Sequence, residues 1–244
     1  MIKMFKVLII LMATLGLSVM AAEKGSKEDI LLKKLQKRFS TAKDIKVKQS
    51  PIKSLYEVTV DTKIFYVSES GTFLIVGHMW NMETNTNLSM NALKKVRKKI
   101  LDGMPESNMI VFSPPSGKVK HTVTVFTDLD CHYCRIMHSK IAGYLQRGIK
   151  VRYVLYPRAA KNQPSYTKAI SVWCADNKST AFTNAKAGQA VTPKSCSNPV
   201  DGNVVVGAGL GIRGTPAIFF NSGRIIPGYV GPAKLFTMLK KGKK

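Results

Sequence analysis

Acidic residues are scarce in this 244-residue chain: 14 Asp and Glu stand against 38 Lys and Arg, a formal net charge of +24. There is no acidic tail, no polar low-complexity tract and no internal repeat, which removes solenoid and array architectures. Beyond residue 21 no long apolar run occurs, so a multi-span membrane protein is excluded. Cysteine and histidine are limited to four each. A zinc site needs a second close cysteine pair or histidines at ligand spacing, and His78, His121, His132 and His138 do not supply it. Charge alone, without a recognisable binding motif, is a poor case for nucleic acid, and none is expected as a partner. The deficits are not those of a disordered chain. Hydrophobic residues reach 45% and charged residues 21%, and the length permits one or two domains with a sizeable core.

The N-terminus carries the one apolar run. Lys3 and Lys6 precede an almost wholly apolar stretch from Val7 to Leu17, and Val19-Met20-Ala21 brings small residues. A basic start, a short apolar middle and a small-residue exit predict a secretory signal peptide over residues 1–21, with the mature chain starting near Ala22. A membrane anchor is the competing reading, and the apolar stretch is short of the roughly 20 residues that span a bilayer. The cysteines are therefore read in an oxidising compartment. Of three possible pairings, Cys131–Cys134 with Cys174–Cys196 is favoured, because a C-x-x-C pair at a helix start closes readily on itself.

Four regions follow in order. Ser26 with Asp29 reads as a helix cap, and Leu31, Leu32, Leu35 and Phe39 give the helix an apolar stripe. Extended segments are expected at residues 45–49, 54–60, 63–67 and 72–76, with turns at Asp61-Thr62 and Ser70-Gly71. This small α+β unit, residues 22–82, has too thin a core to stand alone and calls for packing against another chain or domain. Residues 83–105 read as a linker. It opens with a polar bridge and continues as a helix with Leu93, Val96 and Ile100 on one face and Lys94, Lys95, Arg97, Lys98 and Lys99 on a face read as solvated.

Residues 106–244 alternate strand and helix. Strands are expected at 121–126, 151–156, 215–220 and 224–226, and helices at 131–147, 165–176, 180–187 and 232–241; the first two strands are joined by a crossover that favours parallel pairing. Strand, C-x-x-C at a helix N-terminus, helix, strand is a thioredoxin-like pattern. The overall fold class is α+β: a small N-terminal unit, a linker helix and a C-terminal thioredoxin-like domain with a helical insertion.

The spacing carries redox chemistry. At a helix start Cys131 meets unpaired backbone donors and the positive end of the helix, which favour its thiolate and its attack on a disulfide. Cys134, one turn further in, is placed to resolve the mixed disulfide. A closed bridge that merely staples a loop is the bland alternative. Thr215-Pro216 ahead of an apolar strand suits a cis turn or a simple strand entry.

Several segments together resemble the DsbC family, the periplasmic thiol:disulfide interchange proteins of Gram-negative bacteria. They are Phe126-Thr127-Asp128-x-x-Cys131-x-Tyr133-Cys134, Gly148-Ile149-x-Val151-Arg152-Tyr153, Pro157-Arg158, Trp173-Cys174, Gly214-Thr215-Pro216-Ala217 and Pro227-Gly228-Tyr229, with Gly71 and Gly77 nearer the start. The resemblance implies a disulfide isomerase with Cys131 attacking and Cys134 resolving, and a substrate-facing loop at Thr215 and Pro216. It also implies a structural bridge between Cys174 and Cys196, and no cofactor. Residues 22–82 would form a homodimer, so that two catalytic domains face each other across an apolar, chaperone-like cleft. Unfolded or mis-bridged secreted proteins would be the substrates, and a membrane thiol reductase would keep the pair reduced.

Two positions depart from the family pattern: His132, where glycine is usual, and Asp130, where an uncharged residue is commoner. His132 and Tyr133 lie between the sulfurs, while Asp128 and Asp130 lie just before them. The carboxylate of Asp130 is expected to raise the cost of the Cys131 thiolate and His132 to lower it. A net thiol oxidase or reductase of the same fold, and a non-enzymatic holdase, remain the alternatives.

Overall fold

The computed structural model describes residues 25–115 and 117–242. The expected signal peptide over residues 1–21 lies outside them. The first helix, α1 (Lys27–Arg38), starts at a reciprocal cap in which Ser26 and Asp29 satisfy each other's backbone N–H groups. It lays Leu31 and Leu35 on a four-stranded antiparallel sheet, ordered β1 (Ile45–Gln49), β2 (Leu55–Val60), β3 (Lys63–Ser68) and β4 (Leu74–Ile75). Alternation along β2 sends Tyr56, Val58 and Val60 inward against these leucines, with Val67 of β3 beside them. Among the described residues nothing covers the far edge. Phe73, Leu74, Ile75, Val76, Trp80 and Met82 are all exposed.

The segment read as a polar bridge contains half of a short hairpin, β5 (Trp80–Asn81) with β6 (Thr86–Asn87). Asn87 then caps α2 (Leu88–Asp102) by accepting from the Met90 N–H at 2.8 Å. This helix is less solvated than its charge suggests. Ser89 is buried against the Tyr66 hydroxyl at 2.6 Å, and Leu101 is buried in the second unit with Met109, Leu210 and Phe219. Lys94 and Arg97 are half-buried, which corrects the reading of that whole face as solvated. Burial lowers the Arg97 pKa. The turn at Gly223 (φ 79°) rests on α2 so closely that a Cβ there would lie 2.0 Å from the Lys94 carbonyl oxygen.

The second unit is a five-stranded sheet in the order β11 (Ile225–Pro227), β10 (Ala217–Phe220), β8 (His121–Thr127), β9 (Ile149–Leu155), β7 (Ile110–Phe112). The crossover from β8 to β9 is parallel, as the pattern predicts, and the remaining pairings are antiparallel. Both faces are covered. On one, Val123, Val125, Tyr153 and Ile218 pack beneath α3 (His132–Ser139), α4 (Ile141–Gln146), α5 (Pro164–Trp173), α6 (Lys178–Lys186) and α8 (Pro232–Lys241). On the other, Phe126, Val154 and Phe219 meet the end of α2 and the segment that follows α7 (Val200–Gly209).

Three elements of the second unit also differ from the sequence expectation. The helix expected over 131–147 breaks at Lys140, whose backbone (φ −104°, ψ 19°) leaves the helical region; α4 then brings Gly143 within close reach of Pro232. The short strand β7 forms between Pro105 and Pro114, ahead of the first strand expected in this region. Helix α7 forms despite Gly202, Gly207 and Gly209, which lower helix propensity. Gly207 is there for space: a Cβ would lie 2.3 Å from the Tyr156 ring.

Cys174, at the end of α5, is bridged to Cys196 over a sequence separation of 22 residues, which ties down the long segment between α6 and α7. Closing a loop of that length restricts the unfolded chain by about 3 kcal/mol in the chain-entropy description. The double variant Cys174→Ser/Cys196→Ser is therefore expected to lose about that much stability in urea unfolding while each folded molecule keeps its exchange activity. An unchanged urea midpoint would show the bridge to be dispensable.

Candidate functional site

Strand β8 ends at Thr127, and the chain turns through Asp128 to Cys131, the N-cap residue of α3. The turn is held by one buried carboxylate. Asp128 accepts from the Asp130 N–H at 2.9 Å and the Ser165 hydroxyl at 2.9 Å with one oxygen, and from the Arg158 N–H at 2.9 Å and Nε at 3.4 Å with the other. Burial alone would raise its pKa. The donors from Arg158, Asp130 and Ser165 outweigh that and leave it below the usual carboxylate value, so Asp128 is a fixed anion.

Cys131 and Cys134 are unbridged thiols, 5% and 1% exposed. The Cys131 thiol donates to the Thr215 carbonyl oxygen at 3.1 Å, bringing the loop before β10 onto the start of α3; the Thr215–Pro216 peptide is cis. The Thr215 hydroxyl is buried with no partner among the described residues, a donor available once the sulfur loses its proton. Burial pushes the Cys131 pKa up, but hydrogen bonding from Thr215 and from the Cys134 backbone, with the charge of Arg158, brings it below the ordinary thiol value. The more enclosed Cys134 goes the other way, raised chiefly by burial. The two sulfurs thus differ: their surroundings favour ionisation at Cys131 and oppose it at Cys134. Tyr133, 58% exposed, and the exposed His132 stack edge to face at 5.5 Å on the surface beside them.

The structure therefore brings Cys131, Cys134, Thr215, Pro216 and Asp128 together, with His132 and Tyr133 at the rim, and holds Cys174 and Cys196 apart in their own bridge. Asp130 has a partner of its own: its carboxylate is ion-paired with Lys168 of α5, and the largest influences on Cys131 are burial, Thr215, Cys134 and Arg158. Several contributors were not assigned a role from sequence. Arg158 and Ser165 come from the exit of β9 and the start of α5. Lys186 ends α6 and donates to Thr127 Oγ1 and the Asp128 carbonyl oxygen, both at 2.8 Å. His138, one turn below Cys134, is buried against Tyr153 and Thr183, its pKa pushed down to about 4 by burial and the charge of Lys186. Pro157-Arg158 stood out as part of the family resemblance, but one lysine in a chain this basic carries no signal of its own.

A C-x-x-C dithiol at the head of a helix, beneath a cis-proline loop on a sheet with one parallel crossover, defines a thiol–disulfide oxidoreductase of the thioredoxin fold. Known proteins agree. A thioredoxin-like domain model matches residues 115–243, and a model of the disulfide bond isomerase protein N-terminal domain matches residues 20–90. The chain is 31% identical to the thiol:disulfide interchange protein DsbC of Dickeya dadantii over 238 residues, covering 98% of this chain and 96% of that protein. It is 32% identical to DsbC of Haemophilus influenzae, covering 93% and 96%. Among solved structures it is similar to the disulfide interchange protein from Neisseria gonorrhoeae, with a TM-score of 0.51 and 26% identity over 58% of this chain and 99% of that one. The chain belongs to the DsbC family of thiol:disulfide interchange proteins.

Because Asp130 is partnered and near the surface, its charge counts for little at the neighbouring sulfur. Asp130→Thr is expected to leave the Cys131 titration midpoint within about half a pH unit of the parent. Thiolate absorbance against pH checks this, and a fall of a full unit would restore the direct effect expected from adjacency alone.

Proposed function

We propose that the protein is a periplasmic disulfide isomerase that rearranges incorrect disulfides in unfolded or mis-bridged secreted proteins, with Cys131 attacking and Cys134 resolving. The observation that carries the assignment is the geometry of the pair: Cys131 is the N-cap residue of α3 against the Thr215 loop, and Cys134 lies one turn further in, 1% exposed. In the first step the Cys131 thiolate bonds to one sulfur of a substrate disulfide, and the other substrate sulfur leaves as a thiolate. That thiolate can attack a second disulfide of the same substrate. When a substrate thiolate later displaces Cys131, the bonding has changed with no net oxidation. Where displacement fails, Cys134 attacks Cys131, the mixed disulfide breaks, and substrate departs reduced. Thr215 and Pro216 line the approach, with His132 and Tyr133 offered to the substrate. No cofactor enters.

The Cys174–Cys196 bridge supports the reading of an oxidising compartment. We read residues 22–82 as the dimerisation unit, 83–105 as the linker and 106–244 as the catalytic domain. The exposed apolar residues from Phe73 to Met82, beside the two-residue edge strand β4, support a homodimer in which two such edges meet. The cleft between two catalytic domains would also hold unfolded chains, a chaperone activity that needs neither cysteine. Keeping the pair as a dithiol requires a membrane thiol reductase as partner. A net oxidase uses the same sulfurs, and the depressed Cys131 pKa favours it as the second reading; the two differ in whether the pair rests reduced or oxidised in cells.

In Cys134→Ser, mixed disulfides with substrate are expected to accumulate on non-reducing gels, and in Cys131→Ser to disappear. Covalent capture by Cys131→Ser through Cys134 would reverse the roles. Charges at the apolar edge, as in Phe73→Arg/Ile75→Arg, are expected to give a monomer by sedimentation at micromolar concentration. That monomer should reduce a small peptide disulfide but lose most isomerisation of a multiply bridged substrate. A parent protein that is itself monomeric under those conditions would remove the basis for the dimer.

A further inference from the structure

Most charged side chains of the second unit reach solvent. Lys186 does not. It is 4% exposed, and its carbonyl oxygen accepts from Arg135 Nε at 3.1 Å, which clamps the end of α6 to α3. Its ammonium holds Thr127 and Asp128, where β8 ends and the turn to the dithiol begins, and lies 5.1 Å from the Phe182 ring centre. No ion pair reaches it among the described residues: the Asp128 carboxylate is taken up by Arg158, Ser165 and the Asp130 N–H. An ammonium taken out of water without a counter-ion is costly, and burial draws the Lys186 pKa down to about 8.

The ionisable groups facing it are few. They are Cys134, Arg135 and His138 from α3, with Asp128 and Cys131 from the turn after β8. Arg135 is a second cation and His138 is held neutral. Asp128 already has four donors of its own. The groups left to become anions beside Lys186 are the two sulfurs, and Cys134 is the more strongly coupled of them.

We propose that Lys186 is a positioning residue for the resolving step: its buried ammonium is the counter-charge for the Cys134 thiolate. The proposal rests on the assignment of Cys134 as the resolving sulfur. In that step Cys134 gives up its proton and its sulfur bonds to the sulfur of Cys131. The bond between Cys131 and the substrate breaks, and the departing substrate sulfur takes the electron pair and a proton. Cys134 is oxidised and the substrate sulfur reduced, so the step balances without a further reactant. A positive charge beside the enclosed sulfur lets the thiolate form at a pH where burial alone would hold it protonated.

The test is single-turnover exchange between the reduced full-length protein and a fluorescent peptide disulfide, from pH 5.5 to 9.5, resolving capture by Cys131 from release by Cys134. Lys186→Met removes the charge and both hydrogen bonds. Lys186→Gln keeps an N–H donor for Thr127 and Asp128 and removes only the charge. Both are expected to move the midpoint of release upward by about one pH unit, which slows release at pH 7 by about tenfold, with release falling more than capture. A midpoint unchanged in both variants, or moved in Lys186→Met but not in Lys186→Gln, would reduce Lys186 to a tie between α6 and the turn and overturn the proposal. Absence of any capture phase in the parent protein is a different result, one that would sink the reading of Cys131 itself.

Discussion

The site depends on one buried carboxylate. Asp128 draws in four donors from three places: the turn it belongs to, the exit of β9 and the first turn of α5. A buried anion without those donors would be strongly unfavourable, so the three segments must come together in one arrangement for the fold to close. That arrangement sets the height of Cys131 at the head of α3 and brings Arg158 near enough to act on its sulfur. The loop carrying Thr215 then completes the far side, held by the Cys131 contact at 3.1 Å.

Around that anchor the charges are sorted by depth. Residues 22–105 hold 16 basic and nine acidic side chains, and residues 106–244 hold 20 and five. Most of the excess is solvated, where salt screens it and it draws acidic chains or surfaces only weakly. Below the sulfurs the dielectric is lower, and there the arrangement is specific: an anion at Asp128, a cation at Lys186, a neutral His138 between aromatic rings. The same number of charges in other positions would leave the dithiol with a different balance between thiol and thiolate.

Much of the scaffold was legible because its signals are local. The cap at Ser26 and Asp29, the strand at residues 45–49, the alternation of Tyr56, Val58 and Val60, and the last helix at residues 232–241 each follow from neighbours in sequence, and each formed where expected. Elements whose residues oppose their own local preference were not legible. Helix α7 carries three glycines, and it persists because Val200 and Asn203 are buried and Gly207 makes room for Tyr156. Strand β7 is illegible for a different reason: Ile110, Val111 and Phe112 favour a strand, but so short a run is fixed as one only by its pairing with β9. Likewise α2 reads as a solvated basic helix until the turn at Gly223 and the core around Leu101 close on it.

The sequence by itself determined the chemistry: two cysteines two residues apart, between an apolar strand and an amphipathic helix, allow thiol–disulfide exchange because covalent spacing and the helix end act within one turn. The second cysteine pair and the threonine–proline loop were likewise readable, since their residue types carry few other roles. Which charges act on the sulfurs was decided only by the tertiary structure. Asp130 lies next to Cys131 in sequence yet pairs with Lys168, while Lys186, 55 positions beyond Cys131 in the numbering, is buried beside the dithiol. Electrostatic coupling follows distance and burial in space, and neither is set until α5, α6 and the turn after β8 have packed.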